Sequence, residues 1–227
     1  MRKATEIIKR VASETDRAIL FHSASGKDSI ALLELMSPHF REIVCAFMYT
    51  VPGLEHIARY IDWAQRRYPN ARFVQMPHYG VYSYIREGYL GCKRNPKQKV
   101  YNLGQLTDIT RERTGIEWVF YGFKKSDSLN RRLMLQTYTM EAINEQTKKV
   151  YPLSAYRNGD VLRFIDERGL IKPESYGGKA QSSGCDVNDL DYLLYLRNEW
   201  PSDLRKVLET YPLAERKLFD YDNGKED

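Results

Sequence analysis

Short runs of β-branched and aromatic residues alternate with helical patterns along most of this chain, and this alternation restricts the possible folds more than any other feature. The run "EIVCAFMYT" is almost continuously apolar, as strands buried in parallel sheets are. Apolar residues at Ile57, Tyr60 and Ile61 recur at helical spacing. Strands are predicted at residues 17–23, 42–50, 71–77, 117–123 and 148–154. The pattern predicts an α/β fold, a doubly wound and mostly parallel five-stranded sheet with helices on both faces.

The remaining segments complete a two-part organisation. Helices are predicted at Ser29–Ser37, at residues 131–146 and over "NGDVLRFIDERG", with Asn158 or Asp160 as the cap of the last one. Residues 79–104 are expected to form an irregular insertion. The pattern from Asp189 to about Phe219 is helical. We therefore expect one α/β domain over residues 1–185 and a C-terminal helical extension over residues 186–227.

Composition excludes several classes of protein. No apolar run approaches the ~18 residues that span a bilayer, and the N-terminus lacks an apolar signal core, so a cytoplasmic protein without membrane contact is expected. A net charge of +5 permits an anionic ligand without requiring one. Three widely spaced cysteines argue against a disulfide framework.

Three segments with polar and charged residues follow predicted strands. They are Ser23–Ser29, Tyr49–Glu55 and Gly122–Arg132. In a doubly wound sheet, ligands bind beyond the carboxyl ends of the strands. The coincidence of the three segments predicts a binding site at that edge.

The first segment, "SASGKDS", fits an anion-binding turn. Ser25 and Gly26 allow a tight turn that exposes N–H groups before a helix, and Lys27 adds a cation. Ser23 and Ser29 add hydroxyl groups, and Asp28 is a candidate ligand for Mg²⁺. A plain strand–helix turn with Asp28 or Ser29 as the N-cap explains the same local pattern.

The ordered set of motifs resembles one family. "SASGKDS" resembles the S-G-G-x-D-S pyrophosphate loop (PP-loop) of the ATP pyrophosphatases, in the branch that includes phosphoadenosine phosphosulfate (PAPS) reductase. "YTVPGLEH" stands at the position of a D-T-G-like turn, and "YGFKKSDSLNRR" resembles G-x-R-x-x-x-S-x-x-R. "YPLSAYRNGDVLRFIDERGL", "PESYGG" and "SSGC" resemble the block that follows. The resemblance implies the adenine nucleotide alpha-hydrolase-like fold.

The same resemblance implies ATP and Mg²⁺ as cofactors and cleavage of ATP between the α and β phosphates to adenylate an acceptor. The expected catalytic residues are Lys27, Asp28, Lys124 and Arg131, with Asp28 also on the metal. The expected nucleotide-binding residues are Ser23, Ser25, Gly26, Ser29, Met48, Gly122 and Ser128. Two alternatives remain open at this point. Met48 fits the hydrophobic core equally well, and the cations after Gly122 also fit the solvent-exposed start of a helix.

The chain departs from the family pattern at four places. Ala24 and Ser25 replace the first Ser-Gly, Tyr49 replaces an aspartate, Lys124 an arginine and Tyr156 a tryptophan. Lysine keeps the charge of arginine but loses its bidentate geometry.

The cysteines restrict the chemistry. Sulfonucleotide reduction in the family uses a C-terminal cysteine, and this sequence has none after Cys185. A four-iron cluster needs four cysteine ligands, so no iron–sulfur cluster is expected within one chain. Cys92 and Cys185 are interpreted as small buried residues, or as ligands of one zinc ion or ligands shared with another chain.

Adenylation prepares an oxygen for replacement by sulfur or nitrogen, so sulfur incorporation into a nucleic acid is one specific hypothesis. The basic segment Lys93–Lys99 with Tyr89 and Tyr101 could contact nucleic acid or be an exposed loop. The candidate partners are an adenine nucleotide, a nucleic-acid acceptor, a sulfur-donor protein and a second copy of the chain. The alternatives are sulfonucleotide reduction with an external thiol and a non-catalytic nucleotide-binding subunit.

Overall fold

The structure is a computed structural model that describes residues 1–174 and 186–224. The described residues form a six-stranded sheet. Its strands are β1 (Arg17–Phe21), β2 (Glu42–Tyr49), β3 (Ala71–Pro77), β4 (Val119–Phe120), β5 (Ile143–Asn144) and β6 (Lys149–Val150). The strand order is β3-β2-β1-β4-β6-β5, with β5 antiparallel to β6 and parallel pairing of β1 with β2 and β4 and of β4 with β6. The predicted α/β class and mostly parallel sheet are confirmed.

The sheet is accompanied by α-helices. In the described ranges they are α1 (Arg2–Ala12), α2 (Lys27–Met36), α3 (Glu55–Arg67), α4 (Tyr79–Glu87), α5 (Leu103–Thr114), α6 (Leu129–Gln136), α7 (Asn158–Glu167), α8 (Leu190–Glu199), α9 (Pro201–Thr210) and α10 (Glu215–Asp222). The helical pattern after Asp189 is confirmed by α8, α9 and α10. None of these helices combines the length and the apolar character needed to cross a bilayer.

The chain divides into two compact units. The first comprises Met1–Phe47, Tyr60–Gln75 and Thr107–Glu174, and the second comprises Met48–Arg59, Met76–Leu106 and Ser175–Asp227. The boundary expected near residue 185 stays a prediction, since residues 175–185 lie outside the described ranges.

In the first unit, β1 is the centre of the core. Ala18, Ile19 and Leu20 are fully buried, because β1 lies between β2 and β4. On this scaffold α2 packs against α1 and α7. The strand therefore holds the start of α2 in a fixed position at the carboxyl edge of the sheet.

The helix predicted over residues 131–146 is wrong in its second half. Helix α6 ends at Gln136, and β5 then forms a hairpin with β6. Met140 and Glu141 have φ values of 54° and 55°, in the left-handed region that ends a right-handed helix. The sheet consequently has one strand more than predicted.

The irregular insertion expected over residues 79–104 is wrong at its start, because residues 79–87 form α4, whereas residues 92–102 form neither helix nor strand. The helix ends at Gly88, whose φ of 77° suits a glycine.

The second unit has buried side chains on its C-terminal helices and the segment that follows α9. They include Tyr192, Leu196, Val207 and Tyr211.

The N-cap predicted for α7 at Asn158 or Asp160 is wrong, although Asp160 does bind the true N-cap residue. The N-cap position is Arg157, and its N–H donates to the Asp160 carboxylate at 2.9 Å. The helix stops before Gly169, as predicted, where φ is 58°.

Candidate functional site

The loop between β1 and α2 is a tight turn that does not need glycine at its centre. The Gly26 N–H donates to the Ser23 carbonyl at 2.8 Å, and the Ser23 N–H donates to Ser29 Oγ at 2.8 Å. Ala24 and Ser25 occupy the middle of the turn, are buried, and have no positive φ. Their replacement of Ser-Gly in the family motif therefore leaves the turn intact.

The loop and the start of α2 present free backbone donors. Helix α2 begins at Lys27 with Gly26 as its N-cap and without a side-chain cap, so the alternative cap at Asp28 or Ser29 is wrong. Within the described residues, the N–H groups of Ala24, Ser25, Lys27 and Asp28 have no acceptor. Unsatisfied N–H groups at a helix start attract anions.

Close packing fixes the position of the loop. A Cβ added at Gly122 would lie 2.8 Å from Asp28 Cβ, which no ordinary contact allows. A Cβ at Gly26 would lie 2.9 Å from Ser23 Oγ. Gly122 is therefore needed for the approach of the loop to the segment after β4, and Gly26 for the close turn within the loop.

Charged side chains of alternating sign connect α2 to the segment after β4. Lys124 Nζ donates to Asp28 Oδ2 at 2.7 Å and lies 3.3 Å from Asp127 Oδ1, while Lys27 Nζ lies 3.4 Å from Asp28 Oδ2. Asp127 Oδ2 in turn accepts from Arg131 at 2.8 Å. We call Lys27, Asp28, Lys124, Asp127 and Arg131 the charge chain. It has one positive charge more than negative charges, which suits an anionic ligand.

The members of the charge chain differ in their access to solvent. The Lys124 side chain is only 2% exposed, whereas that of Arg131 is 38% exposed. Arg131 stacks on the Phe123 ring at 4.0 Å. Ser128 caps α6 by accepting from the Arg131 N–H at 3.2 Å. Lys124 thus orients Asp28, and Arg131 is held where it can meet a ligand.

The structure brings most predicted site residues together in the first unit. Asp28 connects the loop to Gly122 and Lys124, and Asp127 connects Lys124 to Arg131, whose N–H donates to Ser128. The predicted site residues of the loop are Ser23, Ser25, Gly26, Lys27, Asp28 and Ser29. Met48 is half-buried near the end of β2 and belongs to the second unit.

Sequence reasoning missed Asp127. This residue lies three positions after Lys124 and four before Arg131, a spacing that could have indicated its two ion pairs. Its carboxylate also accepts from the Lys124 N–H at 2.8 Å, which fixes the local turn.

His22 directly precedes the loop and is neutral. Burial lowers its pKa to about 3, and neither ring nitrogen has a hydrogen-bond partner among the described residues. The ring packs edge-on against Phe73. It contributes to the core and not to the charge of the site.

The two described cysteines are poor nucleophiles. Cys45 and Cys92 are buried, and burial raises the pKa of both thiols. Cys92 Sγ donates to the Tyr84 carbonyl at 3.2 Å. Cys185 lies outside the described residues. Over the described ranges, no group of three or more His, Cys, Asp or Glu residues is arranged to hold a metal ion.

The sequence model of the phosphoadenosine phosphosulfate reductase domain matches residues 18–188. The chain belongs to this family. The match covers the loop, the charge chain and α7, so the family assignment and the geometry rest on the same part of the PAPS reductase domain. No curated protein sequence matches the chain.

Two solved structures are similar to this PAPS reductase domain at low identity. One is the U34-tRNA thiolase NcsA from Methanococcus maripaludis with its [4Fe-4S] cluster, with 13% identity, a TM-score of 0.48, and coverage of 94% of this chain and 77% of the thiolase chain. The other is the NH3-dependent NAD synthetase from Campylobacter jejuni in complex with the nitrate ion, with 13% identity, a TM-score of 0.44, and coverage of 95% of each chain. At these values neither structure adds to the family assignment.

Proposed function

We propose that the chain binds ATP with Mg²⁺ at the Ser23–Ser29 loop and cleaves the bond between the α and β phosphates to adenylate an acceptor. The observation that carries the proposal is a set of four N–H groups in the loop and at the start of α2 that have no acceptor among the described residues, those of Ala24, Ser25, Lys27 and Asp28. Donors in this arrangement suit a pyrophosphate group, the leaving group of the reaction.

The proposed reaction is an in-line displacement at the α phosphorus. An acceptor oxygen forms a new bond to this phosphorus, the α–β phosphoanhydride bond breaks, and pyrophosphate leaves with the electron pair. The loop N–H groups and Lys27 hold the β and γ phosphates, where negative charge develops. Arg131, which is partly exposed, is the cation available to the α phosphate or the acceptor.

Asp28 fits a role on the metal. Its Oδ2 is held by Lys124, whereas its Oδ1 is buried and has no hydrogen-bond partner among the described residues. A free carboxylate oxygen is a suitable Mg²⁺ ligand. The ion would neutralise the charge of the leaving pyrophosphate.

A nucleic acid is the acceptor that we propose, with sulfur incorporation as the outcome. The segment Lys93–Lys99 is largely exposed, and among the described residues no carboxylate lies within ion-pair distance of Lys93, Arg94 or Lys97. Free cations of this kind suit a phosphate backbone. A sulfur-donor protein would then be a further partner.

Sulfonucleotide reduction has less support than adenylation. It requires a reactive thiolate, and burial raises the pKa of Cys92 while its thiol already donates to a carbonyl. A non-catalytic nucleotide-binding subunit would use the same loop, and only turnover distinguishes it from an enzyme.

The loop assignment can be tested by a matched pair of glycine substitutions. Gly122→Ala places a methyl group against Asp28, whereas Gly159→Ala on α7 meets no atom within 4 Å. Overpacking costs about 1–3 kcal/mol, and because relief of the crowding displaces the loop, we expect Mg·ATP binding to weaken by ~5-fold or more in the first variant. Equilibrium dialysis with labelled ATP measures this.

Gly159→Ala should bind ATP like the wild type. Lys27→Gln removes a proposed phosphate contact without crowding the loop and should also weaken ATP binding. This variant keeps the test valid if Gly122→Ala fails to fold. Equal ATP affinity in all four proteins would refute the assignment of the loop.

A further inference from the structure

A small pocket lies in the first unit, next to the charge chain. Its volume is about 200 Å³. The lining residues are Lys125, Ser126, Arg132, Ser154, Ala155, Tyr156 and Arg157. Lys125 and Ser126 precede α6, Arg132 lies on α6, and the other lining residues lie between β6 and α7. The Lys125 N–H joins the two segments by donating to the Ser154 carbonyl at 2.9 Å. We call it the basic pocket.

The charge of the basic pocket is positive. Lys125 Nζ is paired with Glu141 at 2.6 Å. Arg132 and Arg157 are exposed, and neither has an ion pair within the described ranges. No carboxylate is among the lining residues. Two guanidinium groups without a compensating charge favour an anion, and arginine suits the oxygens of phosphate.

A buried hydroxyl group provides a second, independent indication of a ligand. Ser154 is 1% exposed, and its Oγ has no hydrogen-bond partner among the described residues. Ser154 lines the basic pocket, where an oxygen of a bound group could pair with it. Buried polar atoms in proteins are nearly always hydrogen-bonded, so a hydroxyl group in this position favours a polar ligand in the pocket.

The size of the basic pocket suits one phosphate group of a ligand. Pockets that enclose whole small molecules measure ~300–1,000 Å³, so about 200 Å³ suits a single phosphate and not a nucleotide. Lys125 follows Lys124, whose ammonium contacts Asp28 of the loop. A phosphate here would therefore be close to the proposed triphosphate site without being part of it.

We propose that the basic pocket binds a phosphate group of the acceptor, held by Arg157, Arg132 and the Ser154 hydroxyl. The role of the bound molecule as acceptor rests on the proposed function, whereas phosphate binding itself does not. A phosphate monoester on a small molecule and a phosphodiester in a nucleic acid share this chemistry.

The test measures binding to the full chain while the loop is occupied by Mg²⁺ and a non-hydrolysable ATP analogue. The probes in equilibrium dialysis are inorganic phosphate, uridine 5′-monophosphate as a monoester, and a 5′-hydroxyl uridine dinucleotide as a diester. Arg157→Ala and Ser154→Ala are compared with Arg163→Ala, an exposed arginine on α7, the helix that follows Arg157. We expect ~10-fold weaker binding in the Arg157 variant and unchanged binding in the Arg163 variant.

The probes distinguish the two sources. Arg157-dependent binding of the dinucleotide indicates a nucleic-acid acceptor, and binding of the monophosphate alone indicates a small phosphorylated molecule. The inference would be overturned if neither Arg157→Ala nor Ser154→Ala weakened the binding of any probe. It would also be overturned if the ATP analogue abolished the binding of every probe. Arg157-dependent phosphate binding without any ATP turnover would keep the basic pocket and refute only the proposed function.

Discussion

Replacing Asp28 with asparagine should destabilise the fold through Lys124. The carboxylate lies 2.7 Å from the Lys124 ammonium, and that side chain is 2% exposed. Breaking a buried ion pair costs about 3–5 kcal/mol when the remaining charge has no other partner. Lys124 keeps Asp127 at 3.3 Å, so we expect a loss of about 2–3 kcal/mol in the free energy of unfolding. Urea denaturation followed by circular dichroism measures it.

A double-mutant cycle separates the ion pair from other effects. Lys124→Met removes the buried charge, so Asp28→Asn should cost about 2 kcal/mol less in that background. Asp16→Asn is the matched control, because Asp16 pairs with Arg41 at a similar 2.6 Å but is 59% exposed, and its loss should leave stability nearly unchanged. Equal costs of Asp28→Asn in the wild type and in Lys124→Met would refute the reasoning.

Three further predictions concern stability and pH. The pKa of His22 is about 3 in the folded state and 6.5 in the unfolded state, so the unfolded state binds the proton first. The free energy of unfolding should therefore fall below pH 6.5 by up to ~1.4 kcal/mol per pH unit. His22→Leu should make the urea midpoint less dependent on pH between pH 7 and 5, and an unchanged dependence would contradict this. Asp203→Ala should lower the free energy of unfolding by about 3 kcal/mol, because the buried carboxylate accepts from the N–H groups of Glu55 and His56 and pairs with the His56 ring at 2.7 Å. Asp220→Ala, which breaks a more exposed ion pair, is the control. An equal loss of stability in the two variants would contradict the prediction. Burial opposes ionisation of Asp203, yet these donors lower its pKa. The stabilisation by the Asp203 carboxylate should therefore be present above about pH 3.8 and decline below it. If the stabilities of the wild type and Asp203→Asn changed in parallel below about pH 3.8, the result would argue against the pair.

The sheet and the helices around it in sequence could be predicted because the strands are buried and the helices are amphipathic. Burial of one face of each element fixes the spacing of its apolar residues, and this spacing can be read directly from the sequence. β5 could not be predicted in this way. Its hairpin depends on left-handed backbone at Met140, Glu141 and Lys148, where no glycine indicates a turn.

The site could be predicted in part for a similar reason. Ligands of parallel sheets bind at the carboxyl edge, so strand positions selected three segments: the Ser23–Ser29 loop, Tyr49–Glu55 and the segment after β4. The pairing of Asp28 with Lys124 joins residues that are 96 positions apart, and such contacts have no signature in one sequence. The burial of Lys124 and the bridging role of Asp127 became visible only in three dimensions.

The most direct test of the proposed function is the identity of the products formed from ATP. The full chain is incubated with Mg²⁺, ATP labelled in the α phosphate and pools of candidate acceptors, including total RNA, and the products are separated by chromatography. We predict labelled AMP or adenylated acceptor together with pyrophosphate, and their loss in Lys27→Gln. Release of ADP and inorganic phosphate, or tight ATP binding without any AMP or adenylate from any pool, would contradict this prediction.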